Sequence, residues 1–179
     1  CDRLRDRSPV GGDEGETMKK VIIIGSPGAG KSTFSRKLRD KTGLPLYYLD
    51  LYYHRADRTT VPREEFDAKL AEIMSTDSWI LDGNFNRTLE WRMQNCDTVI
   101  FMDYPLEVCL SGIQARVGVK REEMPWVEEK VDEKFRQFVE DFPKTTLPVI
   151  YELIEKYREG REIHILHSRE EAERLLEEL

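Results

Sequence analysis

The run Gly25-Ser26-Pro27-Gly28-Ala29-Gly30-Lys31-Ser32-Thr33 sets a lysine and two hydroxyls directly after a glycine-rich turn. It fits G-x-x-x-x-G-K-[ST] at every fixed position, and the chemistry that spacing supports is polyphosphate binding. Glycines let the backbone curl until its N–H groups converge on an anion. A helix that starts at the lysine points its positive end at the same anion. Lys31 then reaches the β- and γ-phosphates, and the Ser32 hydroxyl ligates Mg²⁺. The expected cofactors are ATP and Mg²⁺. GTP is the alternative nucleotide, although no guanine-reading N-K-x-D is present.

Further residues have types and positions that suit the same chemistry. Asp82 closes the apolar run Ser78-Trp79-Ile80-Leu81. An acid placed there holds Mg²⁺ directly or through water. Asp103, after a second apolar run, ranks below it. Asp50 follows a third such run, where an open α/β sheet presents its ligands. From there it would orient or deprotonate an acceptor hydroxyl, with His54 nearby. Arg87, Arg116 and Arg136 are candidate phosphate clamps, joined by Lys120 and Arg121. Each has a plainer reading: a loop carboxylate for Asp50, a surface histidine for His54, a solvated side chain for any of the basic residues.

These residues need a scaffold, and the pattern supplies one. Val21-Ile22-Ile23-Ile24 is a β-branched run suited to a buried parallel strand. Thr33 to Arg39 reads as the helix after the loop, and Thr42-Gly43 stops it. Leu44 to Leu49 reads as the second strand, followed by a polar-aromatic loop over 51–58. A helix after Pro62 carries Phe66, Leu70, Ile73 and Met74 on one stripe. The third strand ends at Asp82, and a loop over 83–88 leads to a short helix from Leu89 to Asn95. The fourth strand spans 97–103, and Pro105 opens the next helix. Residues 116–130 read as a mobile lid hinged at Gly118. A helix is expected from Trp126 to Asp141, broken by Pro143, then another to about Glu159. The fifth strand covers Glu162 to Leu166. His167-Ser168 would border the nucleotide base, and Ser168 with Glu171 forms a capping box for the last helix. Five strands alternating with helices call for a parallel sheet covered on both faces.

The chain has 179 residues, a formal net charge of −7, 39% hydrophobic residues and 35% charged ones. Acidic balance argues against broad binding to nucleic acid backbones. No run approaches the roughly 20 apolar residues that span a bilayer, and no secretory signal is visible. Three cysteines, Cys1, Cys96 and Cys109, form no C-x-x-C pair. A reduced cytoplasmic protein is expected, acting as a monomer or homodimer on ATP and a small-molecule or nucleotide acceptor. Residues 1–17 are rich in charges and turn formers, and read as a disordered extension before a domain over 18–179.

The GSPGAGKST loop, YYLDLYYH, WILDGNFNRT, DTVIFMDYP and FPKTTLP together resemble the adenylate-kinase-like branch of phosphate-loop kinases. More closely they resemble the bacterial DNA topology modulation proteins. The resemblance implies a P-loop NTPase three-layer α/β/α sandwich, with a five-stranded parallel sheet in the order 2-3-1-4-5 and a small helical lid. It casts Asp82, Gly83 and Arg87 as the acid, glycine and phosphate-contacting arginine of a D-G-[FY]-P-R-T motif, and Arg116 as the first lid arginine. Asn86 replaces the proline of that motif, and the lid's R-x-x-G-R spacing is absent. A phosphotransferase with an unidentified acceptor is the reading that results. The rival is a nucleotide-dependent regulatory or DNA-topology-associated protein with weak ATPase activity.

Overall fold

Burial of Val21, Ile22, Ile23 and Ile24 on both faces of one strand decides the architecture. The computed structural model describes residues 18–179, so the expected extension over 1–17 lies outside the described residues. The elements are β1 (Lys20–Gly25), α1 (Lys31–Thr42), β2 (Leu46–Tyr48), α2 (Leu49–Tyr53), α3 (Arg63–Met74), β3 (Trp79–Asp82) and α4 (Asn86–Asn95). They continue with β4 (Thr98–Met102), α5 (Leu106–Ala115), α6 (Glu133–Thr145), α7 (Leu147–Tyr157), β5 (Glu162–Leu166) and α8 (Arg169–Glu178). The strands pair in parallel in the order β2-β3-β1-β4-β5, as the resemblance implies. Side-chain alternation along β1 divides the core. Val21 and Ile23 pack with Phe34, Leu38, Ile100 and Leu175 on one face. Ile22 and Ile24 pack with Leu70, Trp79, Leu81 and Phe142 on the other.

Register puts the working residues at one edge. Ile23 lies beside Asp82 and Gly25 beside Met102, so β1 and β4 end level and β3 ends two residues short of them. α8 starts as the pattern requires: the Ser168 hydroxyl accepts from the Glu171 N–H at 3.1 Å, and the Glu171 carboxylate reaches back to the His167 N–H. Among the described residues no helix is long and apolar enough to cross a membrane.

Four expectations are corrected. The second strand is shorter than 44–49, and residues 49–53 form the single helical turn α2 in place of a loop. That turn buries Leu49 against Gly83, whose added Cβ would stand 2.9 Å from Leu49 Cβ. The helix after Asp82 starts at Asn86, ahead of Leu89. No helix starts at Trp126. Residues 116–132 form turns and bends, and α6 begins only where Asp132 caps it by accepting from the Lys134 N–H at 2.8 Å. Pro143 does not break α6. It falls in the last turn, and the helix ends two residues later; the missing N–H costs one bond, to the carbonyl four residues back.

Candidate active site

The loop between β1 and α1 is shaped for an anion. Gly28 and Gly30 take φ of 84° and 93°, a left-handed backbone that favours glycine. Gly30 is the N-cap of α1. No side chain caps the helix there, and its first turn carries no acid. The first N–H groups of α1 therefore have no capping carboxylate or hydroxyl competing for them. The loop is held from behind. Ser26 N–H donates to Met102 O at 3.0 Å and Ala29 N–H to Ser26 O at 3.1 Å. Gly28 lies against the backbone of α5, so that a Cβ on Gly112 would stand 2.0 Å from Gly28 O. Cys109 is buried at the same contact, which makes it a packing residue.

Lys31 and Asp82 form the charged floor. Lys31 is buried, and its Nζ donates to Ser26 O at 3.4 Å. Burial lowers its pKa and Arg116 adds to that, against the pull of Asp82 and Asp50. Asp82 is 5% exposed. Burial raises its pKa to about 6, Lys31 opposes that shift and Asp50 supports it. Ser35 Oγ lies 2.7 Å from Lys31 O and 3.0 Å from Asp82 Oδ2. Ser35 donates to the Asp82 carboxylate, and that bond opposes the rise in the Asp82 pKa. Ser32 stands near enough to Asp82 to oppose that rise as well. Among the described residues no group of three His, Cys, Asp or Glu can hold a metal. A magnesium ion carried by one carboxylate, one hydroxyl and the nucleotide's own phosphates needs no such group, so Ser32 and Asp82 fit it.

Two residues that the sequence did not single out shape the loop after Asp82. Asn84 Oδ1 accepts from the Gly25 N–H at 3.0 Å, and its Nδ2 donates to Gly25 O at 2.8 Å. The carboxyl end of β3 is thereby tied to the start of the phosphate loop. Arg92 is fully buried. It donates to Gly83 O at 2.9 Å, to Phe85 O at 3.1 Å, to Asn84 O, and to the Thr88 hydroxyl at 3.2 Å. Those carbonyls belong to a turn in which Phe85 takes φ of 32°, a cost that the arginine offsets. Burial pulls the Arg92 pKa down to about 9, still high enough to keep the guanidinium charged at neutral pH. A charged residue on the otherwise buried stripe of Thr88, Leu89 and Met93 was the sequence signal for Arg92.

Behind this floor opens a cleft of about 940 Å³ lined by Asp50, His54, Arg58, Arg116, Arg121 and Trp126 among others. Asp50 keeps 43% of its side chain exposed. Its pKa is raised by burial and lowered by Lys31, Arg116 and Arg121. Arg116 is pulled down by burial and by Arg121, and no ion pair or hydrogen bond engages its side chain among the described residues. Arg121 is neutralised by Glu123 at 3.1 Å and Glu128 at 3.4 Å. Trp126 meets the His54 ring at 5.3 Å between centroids, and the Arg58 guanidinium at 5.5 Å. Arg58 takes φ of 70°, so a strained turn presents it to the cleft. The segment over 116–130 is also fastened to α1 and β2: the Tyr48 hydroxyl donates to Glu122 at 2.6 Å and Arg36 pairs with Glu123 at 3.3 Å.

Four candidates are not brought together with these. Arg87 forks onto Asp67 of α3 at 2.7 and 3.0 Å, with 42% of its side chain exposed. Arg136 pairs with Glu140 of its own helix at 3.2 Å, does not line the cleft, and is 48% exposed. Each is held by a nearer carboxylate than any the site offers. Asp103 accepts from the Tyr151 hydroxyl and faces His167. Lys120 is exposed.

Comparison with known proteins places the fold. No family model matches the chain. Adenylate kinases of Thermotoga neapolitana and Thermotoga maritima are 28% identical over 95 residues. That match covers 51% of this chain, and the chain spans only 42% of the length of those curated relatives. Shikimate kinase from Acinetobacter baumannii superposes with a TM-score of 0.59 at 20% identity, covering 93% of each chain. Shikimate kinase from Bacteroides thetaiotaomicron gives 0.53 at 18% identity, over 89% of this chain and 98% of the other. The five-stranded parallel sheet, its strand order and its loop at the end of β1 make this the fold of the phosphate-loop kinases.

Proposed function

We propose that the protein is a Mg²⁺-dependent phosphotransferase that moves the γ-phosphoryl group of ATP to a small acceptor. The observation that carries this reading is a phosphate-binding loop opening beside a separate cleft that presents Asp50, Arg58 and Arg116. A nucleotide-binding module alone needs no second cleft. ATP would lie on residues 25–33. Its base would extend past Thr33 toward Tyr104 and Arg169, which line a smaller pocket of about 360 Å³ beside the loop. Mg²⁺ bound with the nucleotide would neutralise phosphate charge and align the transferring group. Ser32 and Asp82 are the residues that would hold it.

The acceptor would occupy the cleft beyond Lys31. Asp50 is positioned to orient its hydroxyl and accept the proton. Arg116, which has no salt-bridge contact with a carboxylate among the described residues, would meet the charge on the transferring phosphoryl, and Lys31 would do so from the loop side. Residues 116–130 would act as the lid that excludes water. The adenylate and shikimate kinase likenesses are consistent with either a phosphate or a hydroxyl acceptor. The region after β2 lacks the nucleoside-monophosphate signature usual in adenylate kinases, which favours a small hydroxylated compound.

The test is ADP formation with Mg²⁺ across a panel of nucleoside monophosphates, nucleosides and hydroxylated metabolites, using wild-type and Asp50→Asn protein. The reading predicts one class of acceptor that accelerates ADP formation, gains phosphate and loses at least about a hundredfold in rate with Asp50→Asn. Slow turnover indifferent to every acceptor, with ATP still bound, would move the assignment to a nucleotide-gated regulator of the kind the topology-modulation resemblance suggests.

A further inference from the structure

The segment over 116–132 carries neither helix nor strand, so side chains must hold it in place. Of its residues only one is buried, and that one is a carboxylate: Glu123 is 6% exposed. Its two oxygens are claimed from opposite sides. Arg121 of the segment donates to Oε1 at 3.1 Å, and Arg36 of α1 donates to Oε2 at 3.3 Å. Each guanidinium is anchored a second time. Arg121 pairs with the Glu128 carboxylate at 3.4 Å, and the Glu128 carbonyl accepts from the Gly118 N–H at 2.7 Å. Arg36 reaches the Thr33 and Tyr48 hydroxyls, each at 3.4 Å. Thr33 belongs to the phosphate-binding run 25–33. An unbroken polar chain therefore leads from that run through Glu123 to the turn at Gly118, which follows Arg116.

Burying a carboxylate is costly, and replacing such an ion triad by hydrophobic side chains of similar volume is often neutral or stabilising. Stability alone gives no reason for a charge at this position. Direction does, because charge-assisted hydrogen bonds fix an orientation that apolar contacts leave open. Arg116 needs that support. No ion pair or hydrogen bond engages its own side chain among the described residues, yet it stands near enough to Lys31 and to Asp50 to lower the pKa of each. Glu123 and Glu128 also neutralise Arg121, which leaves Arg116 to meet an incoming anion. We infer that Glu123 is a positioning residue: it ties the segment over 116–130 to α1, so that Arg116 is aimed at the γ-phosphate of a nucleotide on the loop. The inference rests on the phosphotransfer reading above and deepens it.

The experiment is equilibrium binding of Mg²⁺-ATP and Mg²⁺-ADP, which differ by the γ-phosphate. Wild type is compared with Glu123→Gln, Glu123→Met, Arg116→Met and the combination of Glu123→Met with Arg116→Met. Both substitutions at position 123 keep the volume of the side chain, and Arg36 and Arg121 each retain another partner. Melting temperatures check the fold of every variant. A charge-assisted contact to a phosphate is worth about tenfold or more in affinity, and Arg116→Met should lower the ATP-to-ADP affinity ratio by that factor. Each Glu123 variant should lower the ratio by at least about fivefold with ADP affinity nearly unchanged, and the double variant should lower it no further than Arg116→Met does. A purely structural Glu123 would lower the melting temperature and leave the ratio as in wild type, and that result overturns the assignment. So does a double variant in which the two effects add. Failure of wild type to bind either nucleotide overturns the nucleotide reading itself, and this inference with it.

Discussion

Asn84→Ala probes the joint between the two halves of the site. The Asn84 amide bonds both polar groups of the Gly25 backbone, at 3.0 and 2.8 Å, and Gly25 is buried. Because one group donates and the other accepts, the amide can satisfy both in only one orientation. Truncation strands one donor and one acceptor. Each stranded buried group costs about 1–3 kcal/mol. Water can reach these part-buried bonds, so the lower half of that range applies and the sum is about 2–4 kcal/mol. For a domain of this size that corresponds to a melting temperature lower by about 4–16 °C. The start of the phosphate loop also loses its brace, so affinity for Mg²⁺-ATP should fall in the same variant. Asn84→Asp sharpens the test: its carboxylate still accepts from the Gly25 N–H but places a negative oxygen against Gly25 O. At pH 8 it should be at least as unstable as Asn84→Ala. Urea unfolding of the three proteins measures this. Unfolding free energies for both variants within about 0.5 kcal/mol of wild type, or Asn84→Asp matching wild type at pH 8, would refute the argument.

Three further outcomes follow from the geometry. Asp82 has a folded pKa of about 6 against 3.8 when free, so its contribution to metal-free stability is fully present below pH 3.8 and is lost as pH rises through about 6, by up to about 3 kcal/mol. Mg²⁺ needs the ionised form. Apparent Mg²⁺ affinity should therefore fall by up to about tenfold per unit below pH 6, and calorimetry of Asp82→Asn should show that dependence gone. Gly112→Ala should destabilise by about 1–3 kcal/mol despite alanine's better helix propensity, since the new Cβ meets Gly28 O at 2.0 Å; a thermal melt that rises would contradict the close contact. Arg87→Ala should change stability by less than about 1 kcal/mol, because its pair with Asp67 is solvent-exposed, and should leave the Michaelis constant for ATP unchanged in steady-state kinetics.

The parts legible in the sequence are those whose signal is contiguous. The phosphate loop is a local pattern, and its partner Asp82 is announced by the apolar run it ends. The strands of the sheet follow from short β-branched runs, although their order came from resemblance, since periodicity carries no information about which strands are neighbours. What stayed hidden depends on pairs far apart in the chain. Asn84 acts on a residue 59 positions away, and Arg87 is claimed by an aspartate 20 positions upstream. Trp126 enters the cleft beside Asp50 from a segment whose turns have no period, and Arg58 does so from a strained turn. Pro143 misled because the one hydrogen bond a proline removes is outweighed here by the burial of Val139 and Phe142 in the same helix, which the local sequence does not show. The cap at Asp132 moved the start of α6 seven residues from where the apolar pattern put it, at Trp126.

The central claim is that residues 25–33 form a nucleotide phosphate site with Lys31 as its cation. Titration of Mg²⁺-ATP into wild-type and Lys31→Ala protein by calorimetry tests it most directly. Micromolar binding at one site per chain, weakened at least about a hundredfold by Lys31→Ala in a protein that melts normally, is the predicted result. Equal affinity in the two proteins, or no binding to wild type, would contradict it.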